Sequence, residues 1–253
     1  MKVKLLGTGA ADFLPSLKDT NRYTVDIEIR RSTCTLIDET LLIDCGPHLL
    51  DEIKLFGGDI TKMDNILLTH YHGDHINKEV LTEFVSLRGK KVNLWYNEEI
   101  AMPEIEGVIL KPIKIQQEFE VDGFKITALA ANHNKGAVHY SIEKDDKKIF
   151  YGCDGAWLLM DTFYFMKDKG YDMMIMDATM GNYDGDWRVC EHNSIPMVKM
   201  LVKSFKSYGV TKEDTKIVLD HLARTLHRSY EITQEAVKDE GFIIGYDGLE
   251  LEV

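Results

Sequence analysis

Four side chains able to bind metal ions lie close together in the segment Leu68-Thr69-His70-Tyr71-His72-Gly73-Asp74-His75. His70 and His72 are two residues apart at the end of an apolar run, where the alternation of a strand would place both imidazoles on one side. Gly73 would then allow a tight turn, and Asp74 and His75 would open the following helix. Imidazole and carboxylate ligands together suit Zn, Mn or Fe and do not suit Ca or Mg. The spacing therefore predicts two neighbouring metal sites.

Hydrophobic periodicity predicts the elements that must position this cluster. The apolar run Ile66–Thr69 predicts a buried strand directly before it, and Ile76–Leu87 has helical spacing directly after it. Each half of the chain is rich in strands first and then alternates strands with helices. That order predicts an α/β fold, an αββα four-layer sandwich of two mixed sheets packed face to face, as a single domain over residues 1–253.

The same patterns predict the remaining elements. Further strands are expected at Val3–Leu6, Cys34–Ile37, Leu41–Cys45, Val92–Tyr96, Gly107–Ile115, Met173–Asp177 and Lys216–Asp220. Further helices are expected at Leu49–Phe56, Leu158–Lys169, Ile195–Tyr208 and Tyr230–Lys238. Hairpins are expected for Phe119–Val121 with Phe124–Ala130 around Asp122-Gly123, for Val138–Ile142 with Ile149–Gly152, and for Phe242–Val253 around Asp247-Gly248. Residues 18–33 are polar and fit either a long loop or an edge hairpin.

Composition limits the class of function. The chain has 42 acidic and 30 basic residues and a net charge of −12, which disfavours binding a nucleic acid along a broad face. Its apolar runs are shorter than the ~18 residues that a membrane span needs, and the segment MKVKLLGTGAADFLP is too short in apolar length for a secretory signal. Four cysteines without a C-x-x-C pair fit a reducing compartment better than a disulfide framework. We therefore expect a cytoplasmic protein.

The pattern H-x-H-x-D-H after a hydrophobic strand resembles the signature of the metallo-β-lactamase superfamily. In that superfamily a strand ending in Asp-x-Gly precedes the signature, and Asp44-Cys45-Gly46 stands in that place here. The resemblance implies three further ligands at later strand ends, and His133, Asp154 and His221 stand in the matching order. Asp44 is expected to orient ligands rather than to bind a metal itself.

The resemblance thus implies two divalent transition metal ions, either Zn or Mn, with Fe as a further candidate. The first ion would be held by His70, His72, His133 and Asp154. The second would be held by Asp74, His75, His221 and Asp154.

Other segments resemble the phosphoribosyl cyclic phosphate phosphodiesterase and, more distantly, the tRNA 3′-processing endonuclease. These segments are Gly7-Thr8-Gly9, the Asn132-His133-x-Lys135 stretch, Glu191-His192-Asn193 and the ending Gly245-Tyr246-Asp247-Gly248-Leu249-Glu250. Two features depart from that phosphodiesterase. Residues 17–33 contain none of the cysteines that hold its extra structural zinc, and Asp220 precedes His221 where relatives often have Thr.

The implied activity is hydrolysis of a small, cyclic phosphodiester by a hydroxide shared between the two metals. Asp74 would also orient this nucleophile, and His192 is the preferred general acid because an imidazole titrates near neutral pH. His227 is a second candidate for the acid, and Lys135, Arg224 and Arg228 are candidate phosphate contacts. The expected partner is a small phosphoester rather than a nucleic acid or a membrane. The sequence does not decide whether the protein forms a homodimer.

Four other functions are compatible with the same residues to different degrees. A thioester or lactone hydrolase of the glyoxalase kind would use the same metals to polarise a carbonyl, and a tRNA 3′-processing endonuclease would cleave precursor tRNA. A non-catalytic binding protein is disfavoured by the retained ligand set. A redox di-iron role is disfavoured because such relatives usually carry a carboxylate at the position of His72.

Overall fold

The computed structural model describes residues 1–12, 23, 25–183 and 185–253. Within them, seven strands form a first sheet: β1 (Lys2–Gly7), β2 (Cys34–Ile37), β3 (Leu41–Ile43), β4 (Asn65–Leu67), β5 (Val92–Asn97), β6 (Val108–Ile113) and β14 (Leu249–Glu252). Their order across the sheet is β14-β1-β2-β3-β4-β5-β6. Pairing is antiparallel from β14 to β3 and parallel from β3 to β6.

A second sheet has a related arrangement. Its seven strands among the described residues are β7 (Glu118–Val121), β8 (Phe124–Ala130), β9 (Val138–Lys144), β10 (Lys147–Gly152), β11 (Tyr171–Asp177), β12 (Thr211–Asp220) and β13 (Ile243–Ile244). They lie in the order β13-β12-β11-β10-β9-β8-β7, parallel from β13 to β10 and antiparallel from β10 to β7. The predicted hairpin β7–β8 is confirmed, and its turn residues Asp122 and Gly123 have φ of 51° and 78°, as a type I′ turn requires.

Apolar side chains between the two sheets form the central core, where Leu5 and Ile43 of the first sheet join Ile126 and Ile175 of the second. The outer faces are covered by helices: α1 (Leu49–Phe56), α2 (Lys78–Arg88), α3 (Met160–Met166), α4 (Ile195–Ser207) and α5 (Tyr230–Glu235). Apolar residues of α1 and α2 pack against the first sheet, and those of α3 and α4 pack against the second. The predicted αββα sandwich is confirmed, whereas the single domain over residues 1–253 stays a prediction.

Three short 3-10 helices complete the described elements: Ile60–Lys62, Trp187–Cys190 and Lys238–Glu240. In the part of the chain that the structure describes, no helix has the length and apolar character needed to cross a bilayer. Residues 18–33 were predicted to form either a long loop or an edge hairpin. Residues 18–22 and 24 of that segment lie outside the described residues.

The predicted hairpin at Phe242–Val253 is wrong, because its two strands belong to different sheets. β13 pairs with β12, and β14 pairs with β1. Asp247 lies at the crossing, where its buried carboxylate accepts hydrogen bonds from the Thr8 N–H, the Thr8 hydroxyl and the Arg31 N–H at 2.8–2.9 Å. These bonds hold the turn against the first sheet and direct the chain away from β13.

The elements around the histidine cluster are shorter than predicted. β4 ends at Leu67, and α2 begins at Lys78 after Asn77, whose side chain accepts a hydrogen bond from the Val80 N–H and caps the helix. The cluster at residues 70–75 therefore lies in a loop, not on a strand end and a helix start. The helices predicted at Leu158–Lys169 and Tyr230–Lys238 are likewise limited to α3 and α5.

Candidate metal centre

The predicted metal ligands follow strands whose carboxyl ends meet at one edge of the sandwich. The histidine loop follows β4 of the first sheet, while His133, Asp154 and His221 follow β8, β10 and β12 of the second. β8 and β10 are both antiparallel to β9, and β10, β11 and β12 are parallel, so their carboxyl ends share an edge. Loops at such edges bring together side chains that are far apart in sequence.

The first predicted ligand group converges on a small volume. One potential ligand atom from each of His70, His72, His133 and Asp154 lies within 4.8 Å of the others. Nδ1 of His72 is 2.9 Å from Nε2 of His70 and 3.2 Å from Nε2 of His133. Oδ2 of Asp154 is 3.3 Å from Nε2 of His70 and 3.6 Å from Nε2 of His133.

The second predicted group, Asp74, His75 and His221, lies directly beside the first. Oδ2 of Asp74 is 3.4 Å from Nε2 of His75 and 3.5 Å from Nε2 of His221. Asp154 reaches this group too, with Oδ2 3.3 Å from Nε2 of His75 and Oδ1 2.8 Å from Nδ1 of His221. Asp154 thus contacts members of both groups, which is the position that a bridging carboxylate requires.

Two of the predicted ligands and the neighbouring Asp44 have an unusual backbone conformation. Asp44, Asp154 and His221 have φ of 66°, 55° and 57°, in the left-handed region that residues other than glycine seldom adopt. Asp44 and His221 come directly after β3 and β12, and Asp154 comes two residues after the end of β10, so the left-handed residue turns the chain sharply at each place. Such strain persists only where the surrounding structure holds it, and it concentrates at functional sites.

The chemistry of the donor set fits divalent transition metals. The facing atoms are imidazole nitrogens and carboxylate oxygens, which is the ligand set of Zn, Mn or Fe sites. Burial opposes protonation of His75 and His221, but Asp154 and neighbouring carboxylates outweigh it and raise the pKa of both, for His221 to about 10. The carboxylates therefore favour a cation among these imidazoles, and a metal ion competes with the proton for that place.

Asp44 lies behind His75, as its expected orienting role requires. Its Oδ2 is 2.7 Å from Nδ1 of His75, and its Oδ1 accepts a hydrogen bond of 2.8 Å from the Thr69 N–H. This contact holds the His75 ring so that Nε2 faces Asp74 and Asp154. A carboxylate bonded to the far nitrogen of a metal-binding imidazole fixes the tautomer and the ring orientation.

His192 also reaches the site, and the structure pairs it with Asp177, a residue that the sequence reasoning missed. Oδ2 of Asp177 is 2.8 Å from Nδ1 of His192, and Asp177 accepts hydrogen bonds from the N–H groups of Gly155, Thr179 and Asn193. Burial lowers the pKa of His192, but the charge and hydrogen bond of Asp177 raise it overall. Asp177 is the last residue of β11, which lies between β10 and β12. Its place at the end of a predicted strand was the sequence signal that could have identified it.

A cavity of about 380 Å³ opens onto this centre. Besides the metal-centre side chains it is lined by Arg188, a basic residue that the sequence analysis did not single out, and by the acidic Asp12 and Glu191. The other candidate contacts do not line it among the described residues. Of the predicted phosphate and acid candidates, Lys135 is exposed, and the Arg224 N–H donates a hydrogen bond to Asp12. His227 and Arg228 line a neighbouring cavity.

His227 differs from His192 in its surroundings. Its Nε2 lies 2.8 Å from the backbone oxygen of Ala178 and donates to it. Burial lowers the pKa of His227 to about 4, so the ring is neutral near pH 7. The structure thus places His192, and not His227, where an acid could serve the metal centre.

The sequence of the chain is similar to those of known proteins. The model of a family described as "Beta-lactamase superfamily domain" matches residues 39–210. Ribonuclease Z of Archaeoglobus fulgidus is 27% identical over 123 residues, covering 44% of this chain and 40% of that protein. The anti-Pycsar protein Apyc1 of Paenibacillus sp. strain J14 is 29% identical over 140 residues, covering 46% and 56%. The chain spans about half the length of the curated relatives it matches.

Solved structures share the whole fold. The metallo-β-lactamase fold protein YhfI from Bacillus subtilis superposes with a TM-score of 0.74 at 17% identity, covering 100% of this chain and 99% of that one. The short form of human tRNase Z superposes with a TM-score of 0.68 at 17% identity, with the same coverage. Since the family match extends over more than half of the sequence and the histidine and aspartate groups converge as described, the chain belongs to the metallo-β-lactamase superfamily of hydrolases.

Proposed function

We propose that the protein is a metal-dependent phosphodiesterase that acts on a small, cyclic phosphodiester. The observation that carries this proposal is the Asp177–His192 pair beside Asp154, with its 2.8 Å contact. An alkoxide released from a phosphodiester needs a proton, whereas a thiolate, with a pKa of about 8.5 for its thiol, leaves without one. A general acid held beside the metal centre, as His192 is by Asp177, therefore favours an ester of an alcohol over a thioester as the substrate.

The ligand groups have distinct tasks in this proposal. His70, His72, His133 and Asp154 would hold one ion, and Asp74, His75, His221 and Asp154 a second, with Zn or Mn as the metal. Bound there, two such ions supply Lewis acidity toward a phosphoryl oxygen and toward a water molecule. Asp74, whose pKa His75 and His221 hold far below its usual range against the effect of burial, stays ionised and can also orient the attacking water.

His192 would deliver the proton to the leaving oxygen. Asp177 bonds to Nδ1, which leaves Nε2 as the atom that gives up the proton. Because Asp177 itself is held by three backbone N–H groups, the imidazole keeps one orientation through the reaction. Positioned acids of this kind contribute about 10²–10⁴-fold to a rate.

The cavity supports a small substrate. Its volume is about 380 Å³, within the range of small-ligand sites. Arg188, whose guanidinium forms an ion pair with Asp186 at 2.7 Å, is the basic residue on its wall that an anionic phosphate would contact. The net charge of −12 opposes a long polyanion. A second candidate, tRNA 3′ processing, is favoured by one observation, the sequence similarity to ribonuclease Z.

A substrate comparison tests the proposal. The protein loaded with Zn or Mn is assayed with bis(p-nitrophenyl) phosphate, with a 2′,3′-cyclic nucleotide, with the thioester S-lactoylglutathione and with precursor tRNA. We expect hydrolysis of the first two only. Turnover of the thioester alone would rule out the phosphodiesterase, and endonucleolytic cleavage of the precursor tRNA would establish the second candidate.

A further inference from the structure

A second cavity, of about 600 Å³, adjoins the metal centre. Leu226 lines both cavities, so the two lie side by side. The walls come from the segment around Asn182 and Tyr183, from the loop at residues 226–228, and from α5. A Cβ at Gly181 would lie 2.7 Å from the backbone oxygen of Leu226, so glycine at this place lets the first two walls approach each other.

The side chains of this cavity combine flat, apolar and polar groups. Tyr183 and Ile232 leave 56% and 58% of their surface exposed, and both line the cavity. Arg228 adds a guanidinium plane, and Asn182 adds an amide that both donates and accepts hydrogen bonds. His227 donates through Nε2 to Ala178, which leaves Nδ1 without a proton and able only to accept.

This set matches a heteroaromatic ring better than the alternatives. An aromatic ring and a guanidinium plane stack on the face of a nucleobase, and an amide together with a ring-nitrogen acceptor can bond to its edge. A lipid tail would call for apolar walls throughout, and a bare sugar phosphate would gain nothing from Tyr183 and Ile232. A nucleobase is also uncharged, so the acidic chain does not repel it.

We propose that this second cavity binds the nucleobase of the substrate while its phosphodiester lies in the metal centre, so that the substrate is a nucleotide ester. The inference rests on the proposed function for the position of the phosphate. It makes Tyr183, Asn182 and Arg228 specificity-determining residues. The general size range of ligand sites, about 300–1,000 Å³, accommodates a base in this cavity.

Binding measurements on the metal-loaded protein test the inference directly. Isothermal titration with AMP, UMP and ribose 5-phosphate compares ligands that share the sugar phosphate and differ in the base. We expect at least one nucleotide to bind about tenfold more tightly than ribose 5-phosphate, the size of effect that one stacked base gives. Tyr183→Ala should remove most of that advantage, and Tyr183→Trp should retain it.

Tyr164→Ala is the matched control. Tyr164 is 64% exposed on α3 and lines neither of the two cavities, so its removal should leave all three affinities unchanged. If both nucleotides bind no more tightly than ribose 5-phosphate, or if Tyr183→Ala leaves their advantage intact, the inference is overturned.

The two proposals fail in different ways. Hydrolysis of bis(p-nitrophenyl) phosphate without any preference for nucleotides would overturn the nucleobase cavity and leave the phosphodiesterase standing. A base-dependent affinity that Tyr183→Ala abolishes, in a protein that hydrolyses no phosphodiester, would support the cavity and overturn the proposed activity.

Discussion

Among the single residues, Asp154 and His192 have different surroundings and different expected roles. Asp154 is almost completely buried and touches members of both ligand groups. His192 keeps 13% of its side chain exposed, with its Nδ1 on Asp177. Buried charged groups with close partners of opposite charge fit a metal-binding role, whereas a partly accessible imidazole with one anchored nitrogen fits proton transfer.

His192→Ala should affect substrates according to their leaving group. For a 2′,3′-cyclic nucleotide, whose leaving oxygen is an alkoxide, we expect kcat to fall by about 10²–10⁴-fold. For bis(p-nitrophenyl) phosphate, whose leaving p-nitrophenolate needs no proton, the loss should be less than about tenfold. Steady-state kinetics on both substrates checks this, with Cys190→Ser as control because Cys190 is exposed in the same segment. An equal loss on both substrates would mean that His192 is not the acid.

At the scale of elements, the site depends on how closely two loops approach each other. The Asp44-Cys45-Gly46 turn after β3 packs against the histidine loop, since the Cys45 N–H donates to the backbone oxygen of His75. A Cβ on Gly46 would lie 2.1 Å from the backbone oxygen of Asp74. Glycine is therefore required at Gly46. It is not required at Gly73, where an added Cβ meets nothing within 4 Å and φ is not positive. The predicted turn is nevertheless present, since the His72 backbone oxygen accepts a hydrogen bond from the His75 N–H.

Gly46→Ala should therefore be far more damaging than Gly73→Ala. The first substitution forces the Asp74 backbone away and should cost about 1–3 kcal/mol of the free energy of unfolding, together with weaker metal binding. The second should change that free energy by less than about 0.5 kcal/mol. Thermal unfolding and metal analysis of both variants give the comparison, and equal stability of the two would contradict the packing described.

For the whole molecule, the metal centre joins the two sheets. His70, His72, Asp74 and His75 follow a strand of the first sheet, and His133, Asp154 and His221 follow strands of the second. Elsewhere the sheets are held by the apolar core between them, but at this edge buried carboxylates and imidazoles face one another. Bound cations would compensate the negative charge of Asp44, Asp74 and Asp154. Because their ligands come from both sheets, they would also stabilise the packing of one sheet against the other.

Removal of metal with EDTA should accordingly lower the melting temperature. A ligand present at about 100 times its Kd stabilises a protein by about 2.7 kcal/mol, which for a chain of this size corresponds to a fall of about 5–10 °C on removal. Differential scanning calorimetry before and after chelation measures it, and addition of Zn or Mn should restore the original value. An unchanged melting temperature in protein shown to be free of metal would argue against ligands from both sheets sharing ions.

The sequence by itself determined the α/β class and most strand and helix positions, and its histidine cluster together with the family resemblance predicted seven ligand positions that the structure brings together. The elements depend on local periodicity, which is readable along the chain, whereas His133, Asp154 and His221 were predicted from the resemblance. Tertiary structure alone decided the partner of His192, the crossing at Asp247 and the second cavity. Each of those depends on contacts between distant segments, such as the bond from Thr8 to Asp247 across 239 positions. No periodicity records which distant residues meet, because that is settled by how the two sheets pack.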